Sequence, residues 1–261
     1  MKKSFLHTML IAALSLPFSA FAADEAKTTF GFGVEGFSDR YHEPSVDVDT
    51  SSKYGSLLGY YNYDAGSYFS ATDGRVSYGT TDYKSPSGTM SGVPEWEFEL
   101  RERVGYSMPM WGGSLSPYTG LGVRHFIQEG KNRYTSNFAF AYDRRIFQAY
   151  LPVGASYTYT SNSGWTVTPM VEFDYLLYGH VDSRLGTVTG FPNLSNKQTD
   201  GYGIRGEVMF GGSAKSYSWQ AGPFVRYWDI KDSDTDCVQG GCGLEPKNDR
   251  TQIGVAVRVL W

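Results

Sequence analysis

The chain has 261 residues, with 23 Lys and Arg against 27 Asp and Glu, which gives a formal net charge of −4 at pH 7. That acidic balance argues against nucleic acid as a partner, because nucleic-acid binding rests on an excess of basic residues. Glycine and aromatic residues are abundant, and after residue 23 no apolar run approaches the ~20 residues that a membrane-spanning helix needs. The composition excludes a helical membrane protein and leaves the all-β classes open, including a β-barrel in which every second residue contacts lipid.

Residues 1–22 have the three parts of a secretory signal peptide. Lys2 and Lys3 form its charged start, 9–16 its apolar segment, and the small residues "AFA" at 20–22 its cleavage site. The apolar segment is too short to span a membrane, and no Cys follows the cleavage site to take a lipid anchor. We predict an exported protein with a mature domain of 23–261, which has lost two Lys and carries a net charge of −6 (21 basic and 27 acidic residues).

Turn signals recur along the whole mature chain, and the stretches between them alternate apolar and polar residues with the period of two typical of strands. The pattern predicts ten strands, at approximately 28–40, 53–64, 67–84, 95–109, 114–128, 143–161, 165–181, 200–212, 217–231 and 249–261. Short connections at 64–67, 111–114, 161–164 and 212–216 alternate with longer polar ones near 41–52, 85–94, 129–142, 182–199 and 232–248. Short turns at one end and long loops at the other predict a ten-stranded antiparallel, up-and-down transmembrane β-barrel.

The last strand, "IGVAVRVLW" (253–261), indicates which face is which. Its odd-numbered residues are all apolar and its even-numbered set includes Arg258, so we expect the first set to contact lipid and Arg258 to lie in the lumen. Glu102 breaks this alternation in its own strand, and a β-bulge or a local register change is expected near it. The same reasoning places eight acidic residues and seven arginines in the lumen: Glu35, Asp73, Arg75, Glu95, Glu97, Glu99, Arg101, Arg103, Arg124, Glu172, Asp174, Arg205, Glu207, Arg226 and Arg258.

These lumen charges predict a plug. Ten strands enclose little more than side chains, and buried charges are tolerated only when they are paired and hydrogen-bonded. The near balance of acids and arginines favours a network that holds the barrel shut. A narrow selective channel is the alternative.

The Trp positions give an independent indication of topology, because amphipathic rings favour the two membrane interfaces. Four of the six lie beside a predicted short turn or at the C-terminus, and two lie toward the long-loop ends of their strands. We predict an interface girdle of Trp96, Trp111, Trp165, Trp219, Trp228 and Trp261.

With this pattern the sequence resembles the small Gram-negative outer-membrane barrels, which include the OmpA-type, OmpX-like and opacity proteins and the ten-stranded omptins. The resemblance rests on the signal peptide, the alternating strands and a terminal strand that ends in an aromatic residue. It implies an outer-membrane location among lipid and lipopolysaccharide. It also implies recognition of the last strand by the barrel-assembly machinery, which in that family usually meets Phe and here would meet Trp261. Members differ in activity, so the fold alone does not give a function.

Two enzyme classes have partial signals. Omptin proteases carry an Asp pair in one long loop facing an Asp-His pair in another. His180 and Asp182 would match the second pair, but the predicted loop 85–94 holds no acid. A lipid-modifying enzyme is the other class: Asp39, His42 and Ser45 lie together near the first loop, and His125 is a further candidate, but none shows the pairing of a nucleophile with a base. We expect no catalytic residues and no cofactor.

The segment "DSDTDCVQGGC" (232–242) is the most distinctive loop. Its first three acids match the opening ligand spacing of a calcium loop, but Cys237 stands where the turn Gly belongs and Gly243 where the last Glu belongs, which excludes an EF-hand. A looser cation site stays open, while two Cys without a nearby His argue against zinc. Cys237 and Cys242 are the only cysteines of an exported chain, which predicts a disulfide.

These observations favour a non-catalytic protein, structural or adhesin-like, whose five loops contact a surface ligand that the sequence does not identify. A lipid-modifying enzyme and a narrow channel remain the alternatives.

Overall fold

A computed structural model of the chain describes residues 26–187, 191–238 and 241–261. The predicted signal peptide, 1–22, lies outside these residues. The described part contains fourteen β-strands and a short 3-10 helix, Leu185–Thr187. No helix in these ranges is long and apolar enough to cross a membrane.

Ten strands form a closed antiparallel barrel, which confirms the predicted fold class. They are β1 (Ala26–Glu43), β2 (Val48–Ala65), β3 (Tyr68–Ser85), β4 (Gly88–Tyr106), β6 (Gly113–Gln128), β7 (Arg144–Thr160), β8 (Trp165–Ser183), β10 (Gly201–Ser213), β11 (Ser218–Ile230) and β14 (Asn248–Leu260). Pairing of β1 with β14 closes the barrel. At this seam Phe30 and Trp261 exchange two backbone hydrogen bonds of 2.8 Å.

Four short strands lie outside the ten-stranded barrel, and two of them extend its sheet. β5 (Met108–Met110) pairs with the start of β6, and β9 (Leu194–Gln198) pairs with the end of β8. β12 (Thr235–Val238) and β13 (Gly241–Leu244) form a separate hairpin.

The two ends of the barrel differ as the sequence predicts, with one correction. At the end called here the turn end, the chain reverses at 66–67, 111–112, 161–164 and 214–217. At the opposite end, the loop end, the connections are 44–47, 86–87, 129–143, 184–200 and 231–247. The prediction of long loops at 41–52 and 85–94 is wrong, because most of these residues continue the strands. β1, β2 and β3 have 18 residues each, far beyond the ~9–11 that a membrane strand needs, so their loop-end parts face water on the outside and lose the apolar alternation.

The outer face of the barrel is apolar. Ile253, Val255 and Val257 of β14 are 48% to 62% exposed, whereas Ala256 between them is 2% exposed and faces the lumen. A band of such residues in contact with solvent would be unfavourable for a soluble protein, and its position around a closed barrel is that of a lipid-contacting surface.

The bulge predicted near Glu102 is wrong. β4 pairs across this residue without interruption, with β3 on one side and β6 on the other. The Glu102 carboxylate accepts hydrogen bonds from the hydroxyls of Ser70, at 2.5 Å, and Thr72. These hydroxyls of the neighbouring strand satisfy the outward-facing carboxylate, so the strand keeps its register.

A bulge does occur in β8, at Leu177. Tyr150 pairs with Leu176 and Ala149 with Tyr178, which leaves Leu177 without a partner on β7. The alternation reverses at this point: Asp174 and Leu176 face the lumen before the bulge, and Val181 is buried after it. Every residue of β8 beyond the bulge therefore lies on the face opposite to the one that simple alternation gives.

Five of the six predicted girdle residues lie on the outer surface. Trp111, Trp165, Trp219 and Trp261 are at the turn end and are 45% to 87% exposed. Trp96 lies outside toward the loop end and contacts the ring of Tyr78 at 4.7 Å. The girdle prediction is wrong for Trp228, which is 2% exposed inside the lumen, because it shares the inward parity of Arg226 on β11.

Candidate functional site: the charged lumen

The barrel interior gathers the charges that the strand alternation assigns to it. The structure places all of them on the inner face: Glu35, Asp73, Arg75, Glu95, Glu97, Glu99, Arg101, Arg103, Arg124, Glu172, Asp174, Arg205, Glu207, Arg226 and Arg258. Two apolar clusters share this space. One contains Phe37, Tyr54, Leu58, Met209, Phe224 and Ala256, and the other, nearer the loop end, contains Tyr150, Leu176, Trp228 and Ile230.

Glu99 is the centre of the network. Its carboxylate accepts hydrogen bonds from Arg75 Nη2 at 2.9 Å, from Arg205 Nη1 at 3.1 Å and from the Tyr150 hydroxyl at 2.6 Å. Since Glu99 is on β4 and Arg205 on β10, this contact crosses the lumen. Arg205 Nε also lies 2.6 Å from Asp174 and 3.2 Å from Glu172. The guanidinium of Arg205 thus contacts three carboxylates at once.

Two further links complete a layer across the barrel. Glu35 on β1 accepts a bidentate pair from Arg226 at 3.0 and 2.7 Å, and it also lies 3.2 Å from Arg75. Arg101 joins Asp73, at 2.7 Å, to Glu172, at 2.5 Å. Bidentate and charge-assisted bonds of this kind are the strong class of hydrogen bond.

A second polar layer, closer to the loop end, includes residues that the sequence reasoning missed. Arg250 Nη2 lies 2.6 Å from Glu95, and its Nε lies 3.3 Å from Asp39. Gln252 donates to Asp39 and to Glu97, both at 2.9 Å. Asp39 has the parity of Glu35, and Arg250 that of Arg258, so extending the two alternation patterns to the strand ends would have found both.

Aromatic rings support the arginines. The guanidinium carbon of Arg226 lies 4.0 Å from the ring centre of Phe224, and that of Arg250 lies 4.1 Å from the ring centre of Phe126. Arg124 has no carboxylate within 4 Å among the described residues. It donates to Gln148 and lies 3.8 Å from the ring centre of Trp228. A cation–π contact with Trp228 is thus the main interaction of this arginine with an aromatic ring.

A cluster at the loop end ties three parts of the chain together. Arg144 of β7 donates to the Tyr41 hydroxyl at 2.8 Å and to Glu43 at 3.2 Å, both on β1, and it also contacts Glu245 of the 231–247 loop. These contacts hold that loop against the barrel rim.

The residues considered for catalysis do not assemble into a site in the described part of the chain. His180 Nε2 lies 3.0 Å from Asp182 and 3.3 Å from Ser195, but both contacts use the same ring nitrogen, whereas a catalytic triad uses both. The β8 bulge also turns His180 to the outside of the barrel. Asp39 is buried in the lumen. His42 lies three residues further along β1, so it faces outward, where it contacts Asp49 at 3.0 Å.

The acids of the 232–242 segment bind backbone amides. Asp232, Asp234 and Asp236 accept from the amides of Lys247, Lys197 and Ser195 at 2.5, 2.6 and 2.8 Å. Their carboxylates point to three separate amides, and across residues 26–187, 191–238 and 241–261 no cluster of His, Cys, Asp or Glu is arranged to hold a metal ion. The predicted Cys237–Cys242 disulfide is confirmed and joins opposed positions of β12 and β13. The segment is thus a hairpin docked on β9.

Comparison with known proteins supports the fold. The outer membrane protease OmpT from Escherichia coli is similar in structure, with a TM-score of 0.56 and 10% sequence identity over 90% of this chain and 95% of OmpT. The β domain of the Bordetella autotransporter BrkA aligns with a TM-score of 0.46 and 13% identity over 88% of this chain and 98% of that domain. Neisserial surface protein A (NspA) aligns with a TM-score of 0.32 and 12% identity over 88% and 96%. No protein-family model and no curated protein sequence matches the chain. The OmpT comparison confirms the predicted β-barrel fold; at this identity it gives no activity.

Proposed function

We propose that the chain is an integral outer-membrane barrel with a closed lumen, which acts without catalysis by presenting its loop end to the exterior. In this orientation the turn end and both termini face the periplasm. Its partners are outer-membrane lipid and lipopolysaccharide around the wall, the barrel-assembly machinery at the C-terminal strand, and a surface ligand at the loops. The single observation that carries the surface role is a group of exposed aromatic rings in the 129–143 loop.

These rings stand out because the loop lies beyond the apolar wall. Phe138 is 84% exposed, and Tyr134 and Phe140 are both more than half exposed. The rings of Tyr134 and Phe140 are in contact, with 4.8 Å between their centres, and the two residues form an isolated β-bridge. Exposed apolar groups fixed in this way are typical of interaction surfaces. Hydration of such groups is unfavourable, and contact with a partner removes them from water.

The surface role predicts a loss of adhesion when these rings are removed. Cells that display the wild-type protein should attach to hydrophobic polystyrene several-fold better than cells that display a Phe138→Ser, Phe140→Ser double variant. An epitope inserted in the 44–47 turn measures display on intact cells, and the same epitope at Gly112 should need permeabilised cells. Equal attachment at equal display would contradict the adhesive role, and labelling at Gly112 on intact cells would contradict the orientation.

The closed lumen predicts an absence of steady conductance. Purified protein in planar bilayers at 0.1 V should give no uniform, long-lived current steps, because the layer centred on Glu99 spans the lumen from β4 to β10. A porin reconstituted in the same bilayers serves as the positive control. Reproducible steps from the wild-type protein would favour the narrow channel over the plug.

A further inference from the structure

Beneath the Glu99 layer, toward the turn end, the lumen contains a polar cavity of about 160 Å³. Its rim is formed by residues near the short turns, among them Asn62, Met170 and Gln220. Its walls carry most of the partly accessible charges of the lumen: Asp73, Arg101, Arg103, Glu207, Arg226 and Arg258. The plug therefore does not fill the whole barrel.

The charges that reach this cavity are mainly positive. The side chains of Arg101, Arg103, Arg226 and Arg258 are 12% to 18% exposed. The carboxylates accessible beside them are those of Asp73 and Glu207, at 13% and 16%. Arg226 is paired with Glu35, and Arg101 is paired with Glu172. The side chains of these two acids are at most 1% exposed. A ligand entering from the turn end thus meets four guanidinium groups and two carboxylates, in a protein whose net charge is negative.

Arg103 has unused hydrogen-bonding capacity. It donates through Nη2 to Asp73 at 2.7 Å, but the other oxygen of Asp73 is already bonded to Arg101 at 2.7 Å. One carboxylate therefore serves two arginines. Arg258 is paired with Glu207, whose carboxylate accepts from its two Nη atoms at 3.1 and 2.6 Å. The cavity wall thus carries more accessible guanidinium groups than carboxylates, a balance that favours an anionic ligand.

We infer that this cavity is a binding site for a small phosphate-class oxyanion, held by Arg103 and Arg258. Guanidinium groups match the geometry of phosphate oxygens with paired N–H donors. The volume is large enough for a phosphate group and part of its hydration shell. This site goes beyond the surface role proposed above, and its exposure to the periplasm rests on the orientation proposed there.

The test is calorimetric titration of the mature protein in neutral maltoside micelles with inorganic phosphate, at pH 7.5 and 50 mM NaCl. The wild-type protein should bind one phosphate per barrel. Arg103→Met and Arg258→Met should each weaken binding at least tenfold. Glu207→Gln should strengthen binding several-fold, because it removes the carboxylate that competes for Arg258. A gain in affinity cannot result from misfolding, so this variant separates loss of a site from loss of structure.

Arg40→Met is the matched control, because it removes one positive charge from the exposed face of β1 and leaves the cavity intact. It should bind phosphate as the wild-type protein does. No binding to the wild-type protein at 10 mM phosphate, or equal affinities of the wild-type protein and the three cavity variants, would overturn the inference. Phosphate binding in phosphatidylcholine nanodiscs that disappears in phosphatidylglycerol nanodiscs identifies a lipid headgroup as the natural source; binding retained in both identifies a free phosphate compound.

Discussion

Replacement of Arg205 by Met is expected to lower the free energy of unfolding of the barrel by about 3–5 kcal/mol, the cost of removing one partner from a buried ion-pair network. Met keeps much of the side-chain volume but leaves the carboxylates of Glu99 and Asp174 without their shared guanidinium. The measurement is urea unfolding in lipid vesicles, followed by Trp fluorescence and by the change in gel mobility between folded and unfolded barrels. The transition midpoint should fall with little change in slope.

Arg103→Met is the matched control for this prediction. Arg103 also lies in the lumen, but Asp73 keeps its bond to Arg101 when Arg103 is absent, and the Arg103 side chain is 18% exposed. Its removal should cost clearly less than the removal of Arg205, because no carboxylate loses its last arginine partner. Adding Glu99→Gln to the Arg205 variant should recover part of the loss, because it removes one of the stranded charges. Equal destabilisation by the Arg205 and Arg103 variants would contradict the central role of the Glu99 layer.

The second large effect is expected at the terminal residue. Trp261→Asp should abolish accumulation of the folded protein in the outer membrane of cells, whereas Trp261→Phe should leave it unchanged. The side chain of Trp261 lies on the outer surface, with its ring 5.9 Å from that of Phe32. A charge there, near the membrane interface, costs only about 0–1 kcal/mol. That cost is too small to unfold a barrel, so a complete loss in cells has to come from failed recognition during assembly.

Folding without the assembly machinery separates these two effects. The backbone bonds between Trp261 and Phe30 do not involve the side chain, so the Asp variant should still fold from urea into lipid vesicles, with nearly wild-type yield. Cell fractionation with protease protection and vesicle folding with the gel-mobility assay measure the two outcomes. Normal insertion of the Asp variant in cells would show that the terminal aromatic residue is not a recognition signal.

The barrel could be predicted from the sequence because its outer wall follows a rule of period two. Ile253, Val255 and Val257 alternate with lumen residues over a whole strand, and neither packing nor local propensity opposes that pattern. The same rule places Glu99 and Arg205 inside. It does not say that these two residues meet, since they lie on β4 and β10 and their contact depends on the closure of the barrel.

The errors occur where a local feature changes the rule. At Leu177 one extra residue reverses the faces of β8 and turns His180 outward, and a sequence gives no clear signal for such a bulge. At Glu102 the apparent break in alternation is satisfied by hydroxyls of the adjacent strand, which a reading of one strand at a time does not detect. Trp228 was assigned to the girdle by its residue type, although its parity with Arg226 already indicated the lumen.

The charged contacts across the lumen join residues far apart in the chain, and this bears on the order of events during assembly. Glu99 and Arg205 are 106 positions apart, Glu35 and Arg226 are 191 apart, and Asp39 and Gln252 are 213 apart. None of these pairs can form in an open sheet, so neighbouring hairpins must insert with their inner charges still hydrated. Dehydration of the interior and closure of the β1–β14 seam then become one late, concerted step. A chain halted before that step would form a leaky, water-filled intermediate, and membrane permeability would therefore report the moment at which folding is complete.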